Sequence, residues 1–111
     1  MSRSWKLFLA DMIEAATRIK RYTAGMDIQA FRKNEMVYDA VMRNLEIIGE
    51  AVKALPEEIK ERYPEIDWRK VAGLRAVLAH AYFALDDDTL WQIVHEKVPE
   101  LLTVLRKIER A

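Results

Sequence analysis

Arg75, His80 and Tyr82 fall in one apolar, small-residue stretch, Arg75-Ala-Val-Leu-Ala-His80-Ala-Tyr82, an Arg-x4-His-x-Tyr arrangement. A guanidinium is a permanent fork of donors suited to phosphate, an imidazole moves protons near neutral pH, and a phenol donates a hydrogen bond or is modified. Together the three suit phosphodiester chemistry. On a straight helix turning about 100° per residue, His80 lies roughly 140° round from Arg75, whereas Tyr82 returns to nearly the same side as Arg75. One straight helix therefore does not aim Arg75 and His80 into one cleft. Either the helix distorts near His80, or the two groups meet across a symmetric dimer in which each chain supplies part of a shared cleft; the dimer is preferred.

His80 shares its helical face with Arg69, Gly73, Ala76 and Ala84, a strip of small residues with a cation further along it, which suits a nucleic-acid backbone. The same spacing equally describes a helix–helix contact with His80 as a satisfied interface residue, Arg75 as a helix-surface or interhelical salt-bridge residue and Tyr82 at a core edge. Spacing by itself leaves function open. Arg43, Glu46, Glu50 and Lys53 form i, i+3 and i, i+4 pairs that read as a solvated salt-bridge face, or as a lining of the same cleft. His95 beside Glu96 has no second ligand at i+4 and is assigned no metal role. The Asp86-Asp87-Asp88 run could attract a cation but is more simply a helix cap, and there is no glycine-rich phosphate loop.

The elements that must position these residues read as helices, because apolar residues recur at spacings of three and four. Trp5, Phe8, Met12, Ala15, Ile19 and Tyr22 give a stripe on a first helix ending near Gly25. Tyr38, Val41, Leu45, Ile48, Val52 and Leu55 repeat the rhythm on a second helix, opened near Asn34 and closed before Pro56. Gly49 in its middle reads as a close contact with another helix. Pro56-Glu57-Glu58 predicts a short linking helix to about Arg62. Asp67 predicts the cap of a third long helix carrying Trp68, Val71, Leu74, Leu78 and Leu85 toward the core. A fourth helix follows the aspartates with Trp91, Val94, Val98, Leu101, Leu105 and Ile108 inward, and Pro99 is expected to kink it. The prediction is an all-α, antiparallel up-and-down four-helix bundle with a short extra helix, over residues 1–111 as one domain.

Composition narrows the classes. The 111 residues are 51% hydrophobic and 32% charged, enough apolar material for a small core and too much for a disordered chain. Eighteen Lys and Arg balance eighteen Asp and Glu, which argues against binding nucleic acid or lipid through bulk charge, so any phosphate contact is local. The absence of cysteine removes disulfides, thiolate metal sites and thiol nucleophiles. No apolar run approaches a membrane span or a signal peptide, and the expected location is cytoplasmic.

Longer segments carry a resemblance. Asp39-Ala-Val-Met-Arg-Asn-Leu-Glu-Ile-Ile-Gly-Glu-Ala51, Ile66-Asp-Trp-Arg-Lys-Val-Ala-Gly-Leu-Arg75, His80-Ala-Tyr82 and Trp91 through Pro99-Glu-Leu101 resemble the HepT-like toxins of the HEPN superfamily, over well more than half of the chain. The resemblance implies a homodimeric RNA endonuclease that needs neither metal nor cofactor, paired in a toxin-antitoxin system with an MntA-type minimal nucleotidyltransferase. It implies His80 as general acid/base for attack of a ribose 2′-hydroxyl on the adjacent phosphate, and Arg75 as stabiliser of charge on the phosphoryl oxygens. Tyr82 matches the acceptor of AMP units transferred by the antitoxin, and Arg69 and Arg43 are candidate RNA contacts. The residue after the motif arginine is commonly polar in the family and is Ala76 here. The alternative expectation is therefore a catalytically weak or inactive HEPN module that still binds a nucleotidyltransferase; a nucleotide-binding or purely structural bundle is the third.

Overall fold

The computed structural model describes residues 4–83 and 87–111, with the side chains of residues 80–83 outside that description. The expectations placed on Leu85 as a core residue, Ala84 on the His80 strip and Asp86 in the acidic cap thus lie outside the described residues, as do the side chains of His80 and Tyr82.

Among the described residues every regular element is helical: α1 (Trp5–Thr23), α2 (Ile28–Lys33), α3 (Glu35–Ala51), a 3-10 turn (Val52–Ala54), α4 (Glu57–Glu61), α5 (Trp68–Ala72), α6 (Leu74–Phe83), α7 (Asp87–Gln92), a π-turn (Ile93–Lys97) and α8 (Val98–Arg110). The all-α reading holds. α1 packs against both α3 and α8, and α3 carries α6 on a further side. Met12 and Ile19 of α1, Val41, Leu45 and Ile48 of α3, Phe31 of α2 and Leu105 of α8 are fully buried in one continuous cluster. These are mostly the residues of the three-and-four stripes, because a stripe of that period is the only face a helix can turn wholly inward.

Helix ends follow local chemistry. Ser4 Oγ accepts from the Lys6 amide at the start of α1, and beyond its end Gly25 adopts φ +76°, a conformation that disfavours any side chain. Asn34 Oδ1 caps α3 by accepting from the Val37 amide at 3.1 Å. Asp67 caps α5 through the Lys70 amide at 3.2 Å. The Trp68 indole donates to the carbonyls of Tyr63 at 3.0 Å and Lys60 at 3.1 Å, tying α5 back to the α4 segment.

Three features differ from the sequence expectation. The short helix α2 is additional; Asp27 caps it through the Ala30 amide at 2.8 Å, and only Phe31 of it is buried. The expected third long helix is two. α5 ends at Gly73, whose amide donates to Arg69 O at 2.9 Å, and α6 restarts with the Ala76 and Val77 amides both donating to Gly73 O at 3.1 and 3.2 Å. The fourth carries a π-turn instead of a simple proline kink. Pro99 has no amide to donate and its ring crowds the carbonyl four residues back. The backbone accommodates this with a wider turn in which the Val98 amide reaches the Ile93 carbonyl.

Candidate nucleic-acid active site on α6

The site begins with a missing side chain on α3. A Cβ placed on Gly49 would lie 3.3 Å from Leu74 Cβ and 3.5 Å from both the Arg75 nitrogen and the Val71 carbonyl oxygen. α3 thus touches the chain where α5 gives way to α6, and the Arg75 backbone is set against it. Leu78 is buried and Leu74 half-buried on the inward side of α6, which leaves Arg75, Ala76, Val77 and Ala79 exposed.

Arg75 reaches back to α3. Its Nη1 donates to Glu50 Oε1 at 3.0 Å, and Lys53 Nζ stands 3.6 Å from that same oxygen. The hydrogen bond from Arg75 first, then the charge of Lys53, hold the Glu50 carboxyl below the usual glutamate value. The pair is open to solvent, with the arginine side chain 67% and the glutamate side chain 47% exposed. It is a cation at the surface whose direction is nevertheless set by a partner on another helix.

Of the other expected residues, Arg43 is exposed on α3, 3.8 Å from Glu46, and both line a shallow indentation of about 240 Å³ that also includes Glu50. Arg69 is exposed on α5, on the far side of the Gly73 interruption. The strip from Arg69 through Gly73 and Ala76 to His80 was drawn on one straight helix and is broken at Gly73, so Arg69 is not in helical register with His80. Arg75, His80 and Tyr82 all lie on the uninterrupted α6, and the interruption precedes all three. The roughly 140° offset between positions 75 and 80 is therefore kept within α6. α6 also borders, at Leu74 and Val77, an apolar groove of about 500 Å³ that Ile93, Val98 and Leu101 line as well.

Two expectations about charge resolve differently from their simplest form. Asp87 and Asp88 occupy the first turn of α7 and also receive Arg32 of α2, at 3.2 and 3.4 Å, so the cation they attract is the protein's own. His95 stacks on Trp91 with ring centroids 5.5 Å apart, and no group of three or more His, Asp or Glu side chains that could hold a metal occurs among the described residues. Nor is any helix there long and apolar enough to cross a membrane. The sequence reading allowed Arg75 an interhelical salt bridge and the Glu50 face a place along the same cleft, but it named partners for Glu50 only on its own helix, so the Glu50–Arg75 pair itself went unnamed. Gly49 announces a neighbouring helix without saying which residue it brings.

Comparison with known proteins converges on one family. The family model described as ribonuclease HepT-like matches residues 12–108. A protein of Thermococcus cleftensis named "Probable ribonuclease HepT" is 40% identical over 110 residues, covering 99% of this chain and 100% of its own. A Methanocaldococcus jannaschii protein named as a candidate RNase is 40% identical over 99 residues, 89% of this chain and 91% of its own. A second from that organism, named as a γ-glutamylcyclotransferase and candidate RNase, is 35% identical over 108 residues, which are 97% of this chain but 49% of that longer protein. No solved structure matches the chain.

Proposed function

The chain belongs to the HepT-like ribonuclease family of the HEPN superfamily, and from that premise we infer that it is a single-domain, metal-independent RNA endonuclease working as a homodimer. The observation that carries this reading is the placement of Arg75: exposed to an incoming phosphate, set on α6 with His80 and Tyr82, and held in direction from α3. In the proposed reaction His80 takes the proton of a ribose 2′-hydroxyl as its oxygen bonds to the adjacent phosphorus. The bond from phosphorus to the 5′-oxygen breaks and that oxygen takes up a proton from water, while Arg75 meets the charge on the non-bridging oxygens. The angular offset between positions 75 and 80 supports completion of the cleft by a second copy, and so does the apolar surface that α6 leaves exposed. Arg43 and Arg69 would contact the RNA backbone outside the reacting phosphate.

The protein would act as the toxin of a toxin-antitoxin pair, located in the cytoplasm. An MntA-type nucleotidyltransferase would neutralise it by transferring AMP to the Tyr82 hydroxyl from ATP, with pyrophosphate leaving. The added adenylate puts bulk and negative charge where RNA phosphate must bind. Cleavage of total RNA in EDTA by the unmodified dimer, lost in His80→Ala and in Arg75→Ala, is the expected outcome; cleavage that survives both substitutions overturns the assignment. Ala76 favours a second reading, since it is exposed beside Arg75 and brings no polar group to it. On that reading the chain binds a nucleotidyltransferase without turning over RNA, and the same assay separates the two.

A further inference from the structure

Glu50 makes a connection that the roles of Arg75, His80 and Tyr82 do not require. It follows Gly49, the residue whose bare Cα brings α3 against the Arg75 backbone, and its Oε1 then takes the Arg75 Nη1 at 3.0 Å across 25 residues of sequence. Neutralising Glu50 needs no such reach, because Lys53 stands one turn away on its own helix with Nζ 3.6 Å from the same oxygen. Nor does an ion pair this exposed do much for stability, since water screens both ends. What the contact does is limit where the guanidinium can swing. A guanidinium has five N–H donors, and a bond through Nη1 leaves its other nitrogens to meet a phosphate. Lys53 on the shared oxygen offsets the negative charge that would otherwise repel a polyanion.

We propose that Glu50 is the positioning residue for Arg75: backbone contact at Gly49 and side-chain contact at Glu50 together fix the guanidinium in the direction a phosphodiester must approach. This rests on the proposed RNA-cleaving role of Arg75. Holding a charged group in place before the substrate arrives removes the cost of ordering it during the reaction, so its loss is felt in kcat more than in KM.

The test compares the full-length protein with Glu50→Ala, Glu50→Gln and Arg75→Ala on a short single-stranded RNA in EDTA, together with NMR of the Arg75 guanidinium. Glu50→Ala is expected to lower kcat about tenfold with KM unchanged or reduced. Glu50→Gln, whose amide oxygen still accepts from Nη1, should recover most of kcat. The Arg75 Nη resonances should be resolved by slowed rotation in wild type and in Glu50→Gln, and averaged in Glu50→Ala. Wild-type kcat in Glu50→Ala, or an equal loss in Glu50→Gln and Glu50→Ala, overturns the proposal. If wild type and Arg75→Ala are both inert toward RNA, the ribonuclease reading fails and the NMR arm decides alone: guanidinium resonances unaltered by Glu50→Ala overturn the positioning role, and their averaging upholds it.

Discussion

Between α1, α3 and α8, the side chains of Met12, Ile19, Leu45, Ile48 and Leu105 are fully enclosed, whereas α6, built of equally apolar residues, encloses Leu78 and leaves Ala76, Val77 and Ala79 open. The two regions differ in what lies on their outer sides. α8 turns Glu100, Arg106, Lys107, Glu109 and Arg110 outward, the charged back of an amphipathic helix. Among its described side chains, α6 leaves open Arg75 and the apolar Ala76, Val77 and Ala79, a surface suited to being covered. Stability is thus concentrated where three helices meet, and the residues assigned to chemistry ride on a helix packed mainly against α3. That separation leaves the proposed cleft free to be completed by a second copy without redesign of the core.

The sharpest way to break the contrast is to remove the same kind of atoms from each region. Leu45→Ala should cost about 3 kcal/mol in urea unfolding, from lost burial plus a cavity the neighbouring helices cannot fill. Val77→Ala, at a residue 44% exposed, should change monomer stability by less than about 0.5 kcal/mol while weakening self-association. A large stability loss at Val77 at low protein concentration would show that α6 belongs to the core after all. Next in size is Gly49→Val, which puts branched carbon against Leu74 Cβ and the Arg75 backbone; overpacking of about 2 kcal/mol is expected, with RNA cleavage falling further than stability alone explains. Unaltered cleavage in that variant would detach the α3 contact from the site.

This contrast also explains which parts of the molecule could be read in advance. The stripes of α1, α3 and α8 were legible because each helix had to sort its own residues between core and water. Gly49 was legible as a close contact because an interior glycine in an otherwise regular helix needs a reason. Gly73 was read as one of the small residues of the His80 strip, which already gave it a reason within one helix, and the backbone hydrogen bonds show instead that it ends α5. α2 buries a single residue, Phe31, so it had no period to detect, although Asp27 stood in the capping position. Arg75 was identified by its neighbours in sequence, but its partner Glu50 lies on another helix, and pairing across helices is set by packing rather than by spacing.

A smaller effect is expected where α2, α3 and α7 meet. Tyr38 packs on Phe31 with ring centroids 5.3 Å apart, and its buried hydroxyl has no hydrogen-bond partner. Burial first, then the charges of Asp87 and Asp39, raise its pKa, so the phenol stays neutral. Tyr38→Phe removes the unpaired hydroxyl and keeps the ring, and should raise stability by about 1 kcal/mol in urea unfolding. A loss of stability would mean that the hydroxyl has a bound partner such as an ordered water.

The smallest expected effect on stability is at Glu50, and pH isolates it. Its carboxyl titrates below the ordinary value of 4.5 in the folded chain, so the folded state holds the charged form more firmly than the unfolded chain does. The contribution is complete above that ordinary value and disappears as pH falls from 4.5 through the lowered folded value, because the unfolded chain takes up the proton first. Both side chains are exposed, so solvent screening keeps the gain small. Carboxyl-carbon NMR should place the Glu50 midpoint low in wild type and closer to 4.5 in Arg75→Ala, where the leading cause is gone and Lys53 alone remains. An identical midpoint in the two proteins would mean that Arg75 does not dwell on Glu50 in solution. The exposed helix would then hold its arginine free, and the order on α3 and the freedom on α6 would not be joined at this residue.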